Sequence, residues 1–230
     1  MIYEIAGLKV EMNPKFGRLI RQSDTYKSSG EPNLRINPDL SCKKYSELQK
    51  RTEEDREYIC SSAAFCRAII PHGRFFLHAS AVVYDGEAYL FSAPSGMGKS
   101  THTALWLKRF QGSYILNDDK PVIFPEKEDI TAWGTPFAGK TDLQVNRGVP
   151  LRAICFLKQG NENSITRVDS ERAIALTLNN TYRPKDSEDM TLLLDMIGRV
   201  VERADIFEMS CTGDPKAAEM SYNAMKGKRF

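Results

Sequence analysis

One stretch of the sequence constrains the fold more than any other. The apolar run Tyr89-Leu90-Phe91 feeds directly into Ser92-Ala93-Pro94-Ser95-Gly96-Met97-Gly98-Lys99-Ser100-Thr101. A helix is expected to follow from about Lys99 to Phe110, with Ala104, Leu105 and Leu107 facing inward and Gly112 ending it. A strand that turns through glycines into a helix belongs to the α/β class. The turn matches the pattern G-x-x-x-x-G-K-[ST] at every required position but the first, where Ala93 stands in place of glycine. That spacing serves polyphosphate. Gly96 and Gly98 let successive N–H groups turn inward, and the start of the helix adds its unpaired N–H groups and positive dipole end. Lys99 brings a mobile cation to the β and γ phosphates, and Ser100 an oxygen ligand for Mg²⁺. The expected nucleotide-binding set is Ser95, Gly96, Met97, Gly98, Lys99, Ser100 and Thr101, with ATP and Mg²⁺ as cofactors. Alanine at 93 costs about 1 kcal/mol or more if that position needs a positive φ, and nothing if it does not.

Chemistry needs more than a phosphate grip. The next apolar strand, Tyr114-Ile115-Leu116, closes on Asn117-Asp118-Asp119. Carboxylates at a strand end beside a phosphate loop serve the metal, and neighbouring residues in a strand point opposite ways, which suits two roles better than one. Either Asp118 or Asp119 can then hold Mg²⁺ with Ser100 while the other accepts a proton from a hydroxyl nucleophile. His78, between two extended runs, can tune that proton transfer because its charge changes near neutral pH. Gly134, Pro136 and Gly139 punctuate a loop ending in Lys140, with Arg147 soon after; either cation can neutralise a transferring phosphoryl group. His102, on the helix after the loop, reads as structural.

The remaining sequence bounds the setting. A formal charge of +2 with no basic arm gives no reason to expect nucleic acid. No run reaches the length of a membrane span, and Met1-Ile2-Tyr3-Glu4 does not open a signal peptide. Cys42, Cys60, Cys66, Cys155 and Cys211 are odd in number and form no CxxC pair, which points to reduced thiols and a cytoplasmic location. A homo-oligomer is compatible with all of this. Two regions are expected: residues 1–70, a small β-rich lobe (1–44) plus a connecting helix (45–70), and residues 71–230, the catalytic domain. The connecting helix carries Ile59, Ala63, Cys66 and Ile70 at steps of four, three and four, a face for docking on the core. Asp85-Gly86 marks a hairpin, Ala153 to Leu157 a buried strand, Asp169 or Ser170 a helix start, Ser187 to Arg203 a helix, Ile206 to Met209 a late strand, and Asp214-Pro215 a further helix start.

Taken in order, His78-Ala79-Ser80-Ala81-Val82, the phosphate loop and Leu116-Asn117-Asp118-Asp119 resemble the catalytic domain of the HPr kinase/phosphorylase family, itself similar in its nucleotide site to the ATP-dependent phosphoenolpyruvate carboxykinases. The short HPr-kinase-like proteins, some found beside peptide natural-product genes, are nearest in character. Residues 75 to 124 carry the resemblance, which continues more loosely through Trp133 to Lys140 and Val149-Pro150-Leu151 to the C-terminal helix. It implies a phosphate-loop domain on a β-rich core and transfer of the γ phosphate of ATP to a serine-like hydroxyl of a protein, peptide or small molecule. It also implies that the proton is handled by a histidine and one aspartate, which fall on His78 and Asp118. The chain departs from the family at Ala93, in lacking a recognisable copy of the motif that grips HPr, and in its first 70 residues, so HPr itself is not the expected acceptor. A nucleotide-binding module without catalysis, or an ATPase serving a peptide-processing system, is the alternative.

Overall fold

The computed structural model describes residues 1–38, 50–94 and 96–227. Strands β1 (Ile2–Ile5), β2 (Leu8–Glu11), β3 (Lys27–Ser28) and β4 (Leu34–Arg35) form a small sheet in the order β3-β1-β2-β4. Helix α1 (Gly17–Ser23) lies within this region. The β-rich reading of residues 1–44 did not include it. The reason is physical: no side chain next to α1 caps its start. Glu57, far along the chain, instead accepts from the amides of Lys15 (2.7 Å) and Phe16 (3.0 Å), and Glu54 from that of Arg18 (2.7 Å). Both glutamates sit on α2 (Glu53–Ala68), whose own start is capped by Thr52 accepting from the Asp55 amide. The expected helix from residue 45 is thus helical from 53; residues 45–49 lie outside the described residues. Its buried residues include Tyr58, Ser62, Phe65 and Ile69, beside the expected stripe of Ile59, Ala63, Cys66 and Ile70 and turned from it by one residue. Cys66 and Ile70 are also buried, whereas Ala63 is exposed. Tyr58 and Phe65 carry the larger apolar area and pack on Phe137.

The larger sheet follows the path β5-β9-β10-β11-β7-β6-β8, with β13 and β12 added beyond β11. Its strands are β5 (Phe75–Phe76), β6 (Ala79–Tyr84), β7 (Glu87–Ser92), β8 (Tyr114–Asn117), β9 (Val122–Pro125), β10 (Ile130–Trp133), β11 (Gly148–Gln159), β12 (Ser164–Arg167) and β13 (Asp205–Cys211). Asp85 (φ 52°) and Gly86 (φ 78°) both take left-handed backbone, as the tight β6–β7 turn requires. Central β11 runs parallel to β7 and β13, so apolar residues cover both faces. Alternation divides them. Leu90, Ile154 and Phe156 meet α4 (Ser170–Asn179) and α5 (Ser187–Arg203) on one face. Tyr89, Phe91, Cys155 and Leu157 meet α3 (Lys99–Arg109) and α6 (Lys216–Met225) on the other. Asp169 caps α4 and Asp186 caps α5, and Asp214 accepts from the Lys216 amide at the start of α6.

The inward face of α3 differs from the expected one. His102, Thr103 and Trp106 are buried, whereas Ala104 and Leu107 are exposed and Leu105 is half-buried. The loop fixes this rotation: with Lys99 and Ser100 turned to the strand ends, Trp106 falls against Tyr89 and Phe91. No described helix is long and apolar enough to cross a membrane.

Candidate functional site

The turn after β7 reaches α3 with Gly96 at φ 80° and Gly98 at φ 92°, backbone that a side chain would strain. Ala93 is buried and outside the left-handed region, so alanine there carries no such strain. Ser95 lies outside the described residues. The Lys99 ammonium folds back on the turn, donating to the carbonyls of Ala93 (2.6 Å) and Pro94 (3.4 Å). Burial lowers its pKa, while Asp119 and Asp118 oppose that shift.

Asn117 shapes the segment that follows β8. Its buried side chain donates to the Thr135 carbonyl (2.8 Å) and accepts from the amides of Asp119 (3.1 Å) and Lys120 (2.7 Å). This is the local hydrogen bonding by which asparagine turns a chain. It separates the two aspartates. The Asp118 carboxylate accepts from Ser100 Oγ at 3.3 Å through either oxygen. Asp119 Oδ1 lies 3.4 Å from His78 Nε2, and its other oxygen is paired with Lys120. His78 therefore stands beside Asp119, not beside the Asp118 that the motif match gave it. The backbone secures the placement, because the amides of Leu77 and Ala79 donate to the carbonyls of Pro121 (3.1 Å) and Asp119 (3.2 Å). Burial alone would raise the Asp119 pKa. The His78 hydrogen bond and the Lys120 charge outweigh it and hold the value at about 2, so this carboxylate stays ionised.

These groups share one cavity of about 640 Å³, lined by Gly96, Gly98, Lys99, Ser100, Thr101, His78, Asp118, Asp119 and Lys140. Met97 lines a neighbouring cavity of about 210 Å³ instead. Arg147 is exposed and is not among the residues lining either cavity. Most of the rest of the larger cavity's lining was not anticipated as part of a site. It is built by Arg18 from α1, Asp55, Tyr58 and Ile59 from α2, and Lys120, Gly139 and Thr141. Lys120 had a local signal, a cation directly after two acids. Arg18 and Tyr58 had none, being brought in from far along the chain. Gly139 sits at φ 65°, and a Cβ there would stand 3.2 Å from Asp119 Cβ, so glycine allows the loop to touch the aspartate pair.

The donor set suits the expected cofactors. Ser100 and Asp118 offer hard oxygen ligands, and Mg²⁺ typically takes few from protein and completes its shell with phosphates and water. Among the described residues no group of three or more His, Cys, Asp or Glu side chains could hold a metal by itself.

Among solved structures, the chain is similar to the Hpr(Ser) kinase/phosphatase from Coxiella burnetii, with a TM-score of 0.40 and 12% sequence identity, over 65% of this chain and 95% of that one. No curated protein sequence matches it. The family model described as "SynChlorMet cassette protein ScmC" matches residues 46–212, well over half the chain and the whole of the strand–loop–helix unit. The chain belongs to the ScmC family of SynChlorMet cassette proteins.

Proposed function

We propose that the protein is an HPr-kinase-like enzyme that transfers the γ phosphate of Mg²⁺–ATP to a hydroxyl, serine first among them, of a protein, peptide or small-molecule acceptor. One observation carries the reading: Lys99 and Ser100 of the glycine turn share a cavity with Asp118, Asp119 and His78 from other elements. Mg²⁺–ATP would supply the phosphoryl group and neutralise part of its charge. Gly96, Gly98 and the first amides of α3 hold the phosphates, and Lys99 exchanges the Ala93 and Pro94 carbonyls for them. Ser100 and Asp118 would hold the metal. Asp119, ionised and fixed by His78 and Lys120, orients the acceptor hydroxyl and takes its proton. Its low basicity is no obstacle, because a loose phosphoryl-transfer transition state asks for positioning and charge stabilisation first. Lys140, at the mouth, adds positive charge where charge develops.

The test is mass spectrometry of candidate acceptors, beginning with products encoded beside the gene, after incubation with enzyme and Mg²⁺–ATP. One added phosphate on a defined hydroxyl is expected, and Lys99→Ala abolishes it with the fold intact. Near-normal transfer by Lys99→Ala overturns the mechanism. Release of ADP and inorganic phosphate with no phosphorylated acceptor turns the reading to an ATPase, and nucleotide binding without turnover to a binding module.

A further inference from the structure

The segment from Gly139 to Asn146 is held from both sides. From the N-terminal lobe, Arg18 and Gln22 (3.1 Å) both donate to the Gly139 carbonyl. Gln22 (2.5 Å) and Arg21 (2.8 Å) donate to the Asp142 carboxylate, and Asn146 donates to the Thr25 carbonyl (3.2 Å). From the same side, on α2, the Tyr58 hydroxyl accepts from the Gly139 amide (2.8 Å), and the other side is the larger sheet. The Val145 amide donates to the Leu116 carbonyl (3.0 Å), on the strand that leads into the aspartate pair. Asp142 itself takes left-handed backbone (φ 54°), which aspartate tolerates better than most non-glycine residues.

Arg18 is the centre of this clasp. Its guanidinium lies 3.6 Å over the Tyr58 ring and 3.2 Å from Asp55, besides its bond to Gly139. One face and two edges of the fork are therefore committed. Lys140, next to Gly139 and lining the same cavity, is exposed and has no ion-pair or hydrogen-bond partner among the described residues. The two cations differ in kind: one holds the loop, and the other is left available to a ligand.

We propose that the N-terminal lobe belongs to the machinery of the phosphate site, with Arg18 as a positioning residue that seats the 139–142 turn against Asp118 and Asp119 and so presents Lys140 to the γ phosphate. This rests on the kinase reading above. The test compares the affinities for Mg²⁺–ATP and Mg²⁺–ADP of the wild type, Arg18→Ala, Lys140→Ala, the double variant and Lys99→Ala. Because a charge-assisted bond is lost, Arg18→Ala is expected to weaken Mg²⁺–ATP by about tenfold or more. Mg²⁺–ADP, which has no γ phosphate, changes by less than about twofold. Lys140→Ala shows the same selectivity, and Arg18→Ala adds nothing in the Lys140→Ala background. An equal effect of Arg18→Ala on both nucleotides, or on neither, overturns the proposal. So does an undiminished effect in the Lys140→Ala background, which would make Arg18 a direct phosphate contact. Lys99→Ala reads the underlying assumption separately: unchanged binding of both nucleotides would sink the phosphate site itself. If Arg18→Ala does not fold, Asp142→Asn, exposed at the far end of the clasp, replaces it, with the same selective loss expected and its absence overturning the proposal.

Discussion

Burial disfavours the charged form of His102, whose side chain is 2% exposed, and lowers its pKa to about 4. Its Nε2 lies 3.0 Å from Ser221 Oγ, which accepts from Trp106 Nε1 and donates to the Ala218 carbonyl. The one hydroxyl proton being spent, Nε2 carries the hydrogen and Nδ1 has no partner among the described residues. The unfolded imidazole titrates near 6.5, so the unfolded chain binds a proton that the native one refuses. Stability from this source is complete above pH ~6.5 and lost as the pH falls towards about 4, a difference on the order of 3 kcal/mol. His102→Leu should remove that slope at the loss of a single hydrogen bond. Urea unfolding at about pH 7.5 and about pH 4.5 checks it, with a wild-type loss larger than the variant's by roughly 2–3 kcal/mol. Equal losses would place the acid sensitivity elsewhere.

At the scale of elements, the start of α1 shows what a local reading of sequence cannot reach. Its cap is Glu57, buried on another helix and serving two amides that have no other partner among the described residues. Glu57→Ala is expected to cost about 2–3 kcal/mol. That lowers the melting temperature by roughly 5–10 °C in a chain of this size. Glu219→Ala, which breaks an exposed pair with Arg109, should stay within about 0.5 kcal/mol. Similar shifts for the two would refute the distant cap. The elements that were legible are those whose signals lie within a few residues: the Asp85-Gly86 turn, and the aspartates opening α4 and α6. For α2 the period was legible, and Cys66 and Ile70 of the expected stripe are buried, but Tyr58 and Phe65 were missed. Their burial depends on Phe137, a residue in no local window. The same holds for α3, where the pull of Tyr89 and Phe91 on Trp106 outweighs two leucines.

Over the whole molecule, the candidate site is legible in proportion to how local its parts are. The loop, the aspartates and His78 were visible as motifs in order, whereas the wall made by Arg18, Asp55 and Tyr58 arises only when the lobe docks. That docking has a physical seam. The hydrophobic cluster of the N-terminal lobe, which includes Tyr3, Ile5, Leu19, Tyr58 and Phe65, also takes in Val122 and Phe137 from the rest of the chain. Phe137 is fully buried with its ring centre 5.3 Å from that of Phe65, so Phe137→Ala should cost about 3–5 kcal/mol. The two tryptophans can show where the loss falls, because Trp133 packs against this cluster and Trp106 belongs to the cluster under α3 and α6. Trp106→Phe leaves Trp133 as the reporter, and Trp133→Phe leaves Trp106. In these backgrounds the urea transitions are expected to coincide as one cooperative unit. Adding Phe137→Ala should move the Trp133 transition to lower urea than the Trp106 transition, because the seam then opens before the central sheet. If both reporters shift together, the lobe and the sheet melt as one body. The Arg18 clasp would then be one bond among many in a single core rather than the hold of a separable lobe on the site.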